Sequence, residues 1–118
     1  MRVFNVTQNT LIADNARLAD TYISRLVGLL NRISLSSQEA LILTRCQSIH
    51  MFFMRFPIDV IFMDRNFLVV GVVPNIKPFQ LSPLFLKAYY AVEAPIGTIS
   101  ATRTQQGDQL KLDKFGKH

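Results

Sequence analysis

Tryptophan is absent, cysteine occurs once, and only 18% of the 118 residues are charged. Each shortage excludes something. A lone Cys46 rules out an intrachain disulfide and suits a reducing compartment, so a cytoplasmic location is expected. Few charges beside an apolar share of 49% exclude disorder as a description of the whole chain. The most apolar stretch, 58–73, is broken by Asp59, Asp64, Arg65 and Asn66. No window of ~18 uncharged apolar residues exists, and no membrane-spanning helix is expected. The opening MRVFNVTQNT has neither the apolar core nor the small-residue cleavage site of a signal peptide. A Gly-rich phosphate loop, a serine nucleophile elbow and paired zinc ligands are also missing, so no cofactor and no metal are expected. Basic residues are not interleaved with aromatics densely enough to predict a nucleic-acid platform.

What is present predicts one globular domain, 1–118, with a frayed basic tail at 114–118. Nine of the twelve aromatics are Phe, which fills a core without demanding hydrogen bonds. Thirteen Lys and Arg against eight acids leave a net charge of +5, a weak long-range attraction for anionic partners. Seven of the eight Arg lie at or before Arg65, and all five Lys at or after Lys77. Arg suits fixed anion contacts and Lys suits solvated surface.

Along the chain, 2–7 and 10–13 read as a hairpin around Gln8-Asn9. Asp20-Thr21 is a good N-cap for an amphipathic helix at 21–31, whose Tyr22, Ile23, Leu26, Val27 and Leu30 recur at helical spacing. Ala40 to Thr44 is a short apolar strand. Pro57 opens Ile58–Met63, the turn residues Asp64-Arg65-Asn66 follow, and Phe67–Val73 returns until Pro74. Both faces of both strands are apolar, which predicts a central hairpin shielded from water on either side. Residues 75–87, with Pro78 and Pro83, read as a long surface loop of the kind that is often functional. Strands are expected at 88–94 and 109–112, with a turn or helix start at 95–98 and a turn at 106–108. The fold class is α+β, mainly β: a compact antiparallel sheet or partly open barrel with one short amphipathic helix in the N-terminal half.

Chemistry concentrates in Cys46 to Asp59. Asp59 falls within an apolar strand, so its carboxylate needs a partner or a proton. It could accept hydrogen bonds from a turn, pair with Arg55, or act as a base or ligand contact. Cys46, His50, Met51 and Met54 include soft ligands of the Cu(I) type, yet no second Cys or His accompanies them, and Met is more often core filler. Cys46 with His50 could instead be nucleophile and base, with Arg45 the only hint of the positive surroundings a thiolate needs. Arg45, His50 and Arg55, walled by Phe52, Phe53 and Phe56, could form an anion site.

The run Arg25-Leu-Val-Gly28, the block His50-Met-Phe-Phe-Met54-Arg55-Phe-Pro57-Ile-Asp59-Val-Ile-Phe-Met-Asp64, then Glu93-Ala-Pro-Ile-Gly97 and Gly107-Asp108 resemble the domain of unknown function 192 family. That resemblance implies a small, β-rich bacterial or archaeal domain, and a bacterial chain is expected. It implies a region of interest around His50–Asp64 but no reaction.

The leading expectation is a small ligand-binding or accessory domain that recognises a polar or anionic group beside loop 45–57. Arg45, His50, Arg55 and Asp59 would be its binding residues, with loop 75–87 alongside. One alternative is a hydrolytic or acid–base enzyme with Asp59 as buried base and His50 or Cys46 in support. Another is a weak polyanion-binding module using the basic tail, Lys77, Lys87 and Lys111. A protein partner becomes the better expectation if the chain is a monomer with an exposed Phe patch.

Overall fold

A computed structural model describes residues 1–19, 34–51 and 54–113. The amphipathic helix expected at 21–31, Phe52 and Phe53, and the tail 114–118 lie outside the described residues. Among the described residues, eight strands and one short helix follow in order: β1 (Arg2–Asn5), β2 (Thr10–Ala13), β3 (Asn15–Ala19), β4 (Glu39–Thr44), β5 (Ile58–Met63), β6 (Val69–Ile76), β7 (Tyr90–Ala94), α1 (Thr98–Thr102) and β8 (Leu110–Asp113). The chain is thus mainly β, as its patterning predicts.

The strands form two open sheets. A three-stranded sheet runs β2-β1-β8, and a five-stranded one runs β3-β4-β7-β5-β6. All pairings are antiparallel except β3 with β4, so the larger sheet is mixed. β3 was not foreseen. Its sequence, NARLA, has one strongly apolar residue exposed and only small residues inward, so alternation gives almost no signal there.

β5 is the centre of the molecule, paired on both edges and buried at all six positions. Ile58, Val60 and Phe62 project to one face, where Ile49, Met51, Met54 and Phe56 join them in one core. Ile61 and Met63 project to the other, against Val3, Ile12, Leu110 and Ile99. The second strand of the predicted hairpin departs from expectation. β6 ends the strand order, so it is an edge, and its middle is only partly buried. It also runs past Pro74 to Ile76. An edge tolerates Pro because no ladder hydrogen bond is needed from its outer side.

Where Ile58 faces Ile76 and Val60 faces Val73, Asp59 alone stands opposite Pro74 and Asn75. This is a β-bulge, and Asn75 takes a positive φ of 51° within it. On the small sheet, Asn5 and Asp108 form a buried polar tie. The Asn5 amide donates to Asp108 Oδ2 at 3.0 Å and to Thr104 Oγ1 at 3.1 Å, and the Gln105 N–H donates to the same Asp108 oxygen at 3.1 Å.

Candidate functional site

Asp59 is 1% exposed, and two backbone amides account for its burial. Oδ1 accepts from the Asn75 N–H and Oδ2 from the Ile99 N–H, each at 2.9 Å. The first amide belongs to the bulge; the second lies in the first turn of α1. Gly97, at the N-cap of that helix, has no side chain to cap it. Asp59 therefore supplies from a neighbouring strand the oxygen that an N-cap Ser or Asp would supply locally. The pairing with Arg55 offered by the sequence does not form; backbone amides take its place. Alternation along β5 sets Asp59 on the face of Ile61 and Ile99, whereas Met51, Met54 and Phe56 of loop 45–57 cover the opposite face. The sheet separates Asp59 from that loop, and the structure does not bring it together with His50 or Cys46 on one face.

Cys46, Ile49, Met51, Met54 and Phe56 of the loop pack on one side of the sheet, and the loop gains a neighbour. Met51 N–H donates to Gln80 O and Phe79 N–H to Met51 O; Ser82 N–H donates to Ile49 O and Phe85 N–H to Gln47 O. His50 and Leu81 make an antiparallel bridge between these bonds. Two side chains reinforce the seam: Ser82 Oγ accepts from the Ile49 N–H at 2.8 Å, and Gln47 Nε2 donates to Leu86 O at 2.7 Å. Loops 45–57 and 75–87 are thus one continuous backbone-bonded surface. Phe85 fastens it to the sheet, with its ring 4.6 Å from that of Phe62 and directly over Gly71.

Within that surface the candidate residues divide by exposure. Met51 and Met54 are buried core, consistent with packing. Cys46 is half-buried and its Sγ donates to Ser48 O at 3.2 Å. Among the described residues no three His, Cys, Asp or Glu side chains cluster as metal ligands would. His50 is half-buried at the seam, while Arg45 and Arg55 are exposed and neither forms an ion pair among the described residues. Arg65 differs, since its guanidinium rests 4.3 Å above the Tyr89 ring.

Two features escaped the sequence reading. Residues 40–58 and 65–92 contain no Asp or Glu, so every formal charge on either loop is positive. The signal was legible as a gap between acids, but it means something only once the two stretches are known to be neighbours. The second is apolar exposure: Phe79 is 75% exposed, Leu81 67%, Leu84 61% and Leu86 73%, all within eight residues of loop 75–87. Beside them a groove of about 540 Å³ is lined by Asp64, Leu68, Val70, Leu84, Leu86 and Lys87, among others. Glu93 is also fully buried, in register with Leu41 and Val60 on the face that loop 45–57 covers.

Fold and face together define a small β-rich domain with a cationic, partly greasy loop surface. The chain belongs to the domain of unknown function 192 family, described as "Uncharacterized ACR", whose model matches residues 3–112. No activity is established for that family. It is 35% identical to a UPF0127 protein of Pyrococcus horikoshii over 115 residues, spanning 92% of this chain and 96% of that one. A UPF0127 protein of Pyrococcus furiosus is 36% identical over 119 residues, covering 96% and 99%. Among solved structures, a protein of unknown function from Novosphingobium aromaticivorans superposes with a TM-score of 0.77 at 20% identity, covering 94% of this chain and 82% of that one. A Sinorhizobium meliloti protein, provisionally named a transcription regulator, gives 0.73 at 19%, covering 93% and 89%. These two establish likeness of fold alone. The Pyrococcus relatives are archaeal, so the expectation of a bacterial chain draws no support from them.

Proposed function

We propose that this chain is a small ligand-binding or accessory domain of the cytoplasm that recognises a polar or anionic group on the face built by loops 45–57 and 75–87. One observation carries the reading: two loops devoid of acids are bonded side by side, with Arg45 and Arg55 exposed along one and Lys77 and Lys87 along the other. Arg45 and Arg55 supply forked donors for a carboxylate or phosphate. His50 stands at the seam between the loops. Asp59 acts through the backbone, holding Asn75 at the root of loop 75–87 instead of touching the ligand. The acid–base alternative needs Asp59 beside His50 or Cys46, and their separation by the sheet gives it nothing to build on.

The test is a panel of small carboxylates and phosphates, read by chemical-shift changes in the amides of 45–51 and 77–87. Arg45→Ala and Arg55→Ala are each expected to weaken binding about tenfold, the loss of one charge-assisted contact. Thermal stability without anion should stay within about 0.5 kcal/mol, since both residues are exposed. A panel that moves no amide on either loop would refute the reading.

A further inference from the structure

The exposed apolar side chains are not needed for anion recognition. Phe79, Leu81, Leu84 and Leu86 stand out from loop 75–87, while Phe85 turns inward onto Gly71 and Phe62. Four large apolar residues so close together are more than the scattered single ones of an ordinary surface. Lys77 and Lys87 bracket them, and Arg45 and Arg55 lie on the loop bonded alongside.

We infer that this face docks on an anionic lipid surface, with Phe79, Leu81, Leu84 and Leu86 entering the headgroup region and the four cations meeting the phosphates. The inference rests on the anion-recognising face described above and names the source of its anion. Charge and composition select a membrane over a protein partner. Interface-bound segments combine Leu and Phe with Lys and Arg at the polar margin. Protein-interface anchors are drawn from aromatic residues, Met and Arg, with Leu under-represented and Lys depleted. Here three of the four protruding residues are Leu, and the flanking cations of the same loop are Lys. The long aliphatic stems of Lys and Arg let the charges stay at phosphate level while their neighbours sink deeper. A net charge of +5 adds long-range attraction. Among the described residues no helix is long and apolar enough to cross a membrane.

Cosedimentation of the whole chain with large unilamellar vesicles tests this, comparing pure phosphatidylcholine with vesicles containing phosphatidylglycerol. Binding is expected only to the second kind, and it should fall as salt screens the surface. Lys77→Ala with Lys87→Ala should reduce partitioning roughly 25-fold, at about fivefold per cation. Leu81→Ser with Leu84→Ser should reduce it at least tenfold at unchanged charge. A normal thermal transition in every variant shows that the fold is intact. Anionic vesicles that fail to bind at low salt would overturn the inference. So would binding indifferent to the two Leu substitutions, which would describe a simple polycation. Capture of a Leu/Glu-rich peptide without vesicle binding would make the partner a protein and equally overturn it. If small anions still shift the loop amides in any of these cases, the anion face stands and only the lipid assignment falls.

Discussion

Asp59→Ala is expected to be strongly damaging, costing about 3–5 kcal/mol of unfolding free energy. Its two oxygens satisfy two backbone amides that lie on different elements. Each amide left buried without an acceptor costs roughly 1–3 kcal/mol, and the emptied carboxylate site adds to that. The Ile99 hydrogen bond is buried and the Asn75 one only part-buried, so α1 should suffer more than the bulge. Asp59→Asn keeps the volume and one acceptor but turns an amide N–H toward one of the donors. Its loss should be smaller, about 2 kcal/mol. Urea unfolding measures both, and the total stability of such a domain is only about 5–15 kcal/mol. A change under about 1 kcal/mol for Asp59→Ala would show that water replaces the carboxylate, and the cross-link described above would lose its importance.

Gly71→Ala should also destabilise, and locally. A Cβ at residue 71 would overlap the Phe85 ring, which is wedged between Gly71 and Phe62. The ring must leave, and with it the anchor of loop 75–87. Overpacking of this kind costs roughly 1–3 kcal/mol. Hydrogen exchange should show the amides of Phe79, Ser82 and Phe85 losing protection, because their acceptors lie across the seam in loop 45–57. Amides of β5 and β7 should keep theirs. Phe85→Ala alone opens a void at the same place. Combining Gly71→Ala with Phe85→Ala should destabilise less than the sum of the two, since the added methyl occupies space the ring vacates. Strict additivity would mean that Gly71 and Phe85 do not depend on each other.

The predicted hairpins, the apolar strand at Ala40–Thr44 and the mainly β class were legible because alternation and turn residues act locally. The edge position of β6 was not legible. Val69 to Val73 reads as apolar on both faces, yet burial depends on which strands flank it, and that is settled by β7 inserting between β4 and β5. Pro74 misled for a related reason: it ends a central strand but only bulges an edge. For the site, the sequence marked Asp59 as a buried carboxylate needing partners. It could not name them, because Asn75 and Ile99 offer backbone amides, which leave no mark in residue identity. Nor could it say that Asp59 and loop 45–57 face opposite ways, since the odd-even phase of β5 is set by which side the core forms. The acid-free stretches were visible as letters, but their adjacency is a product of the fold.

Pro74 and Asn75 carry a consequence for how copies of this chain meet. The last strand of the five-stranded sheet is apolar from Val69 to Val73, and a straight strand of that kind invites a neighbouring molecule to extend the sheet. The kink at 74–75 twists the backbone out of line, and an imino nitrogen there has no proton to offer an incoming chain. The same two residues that hinder such sheet extension also bring the Asn75 amide to Asp59.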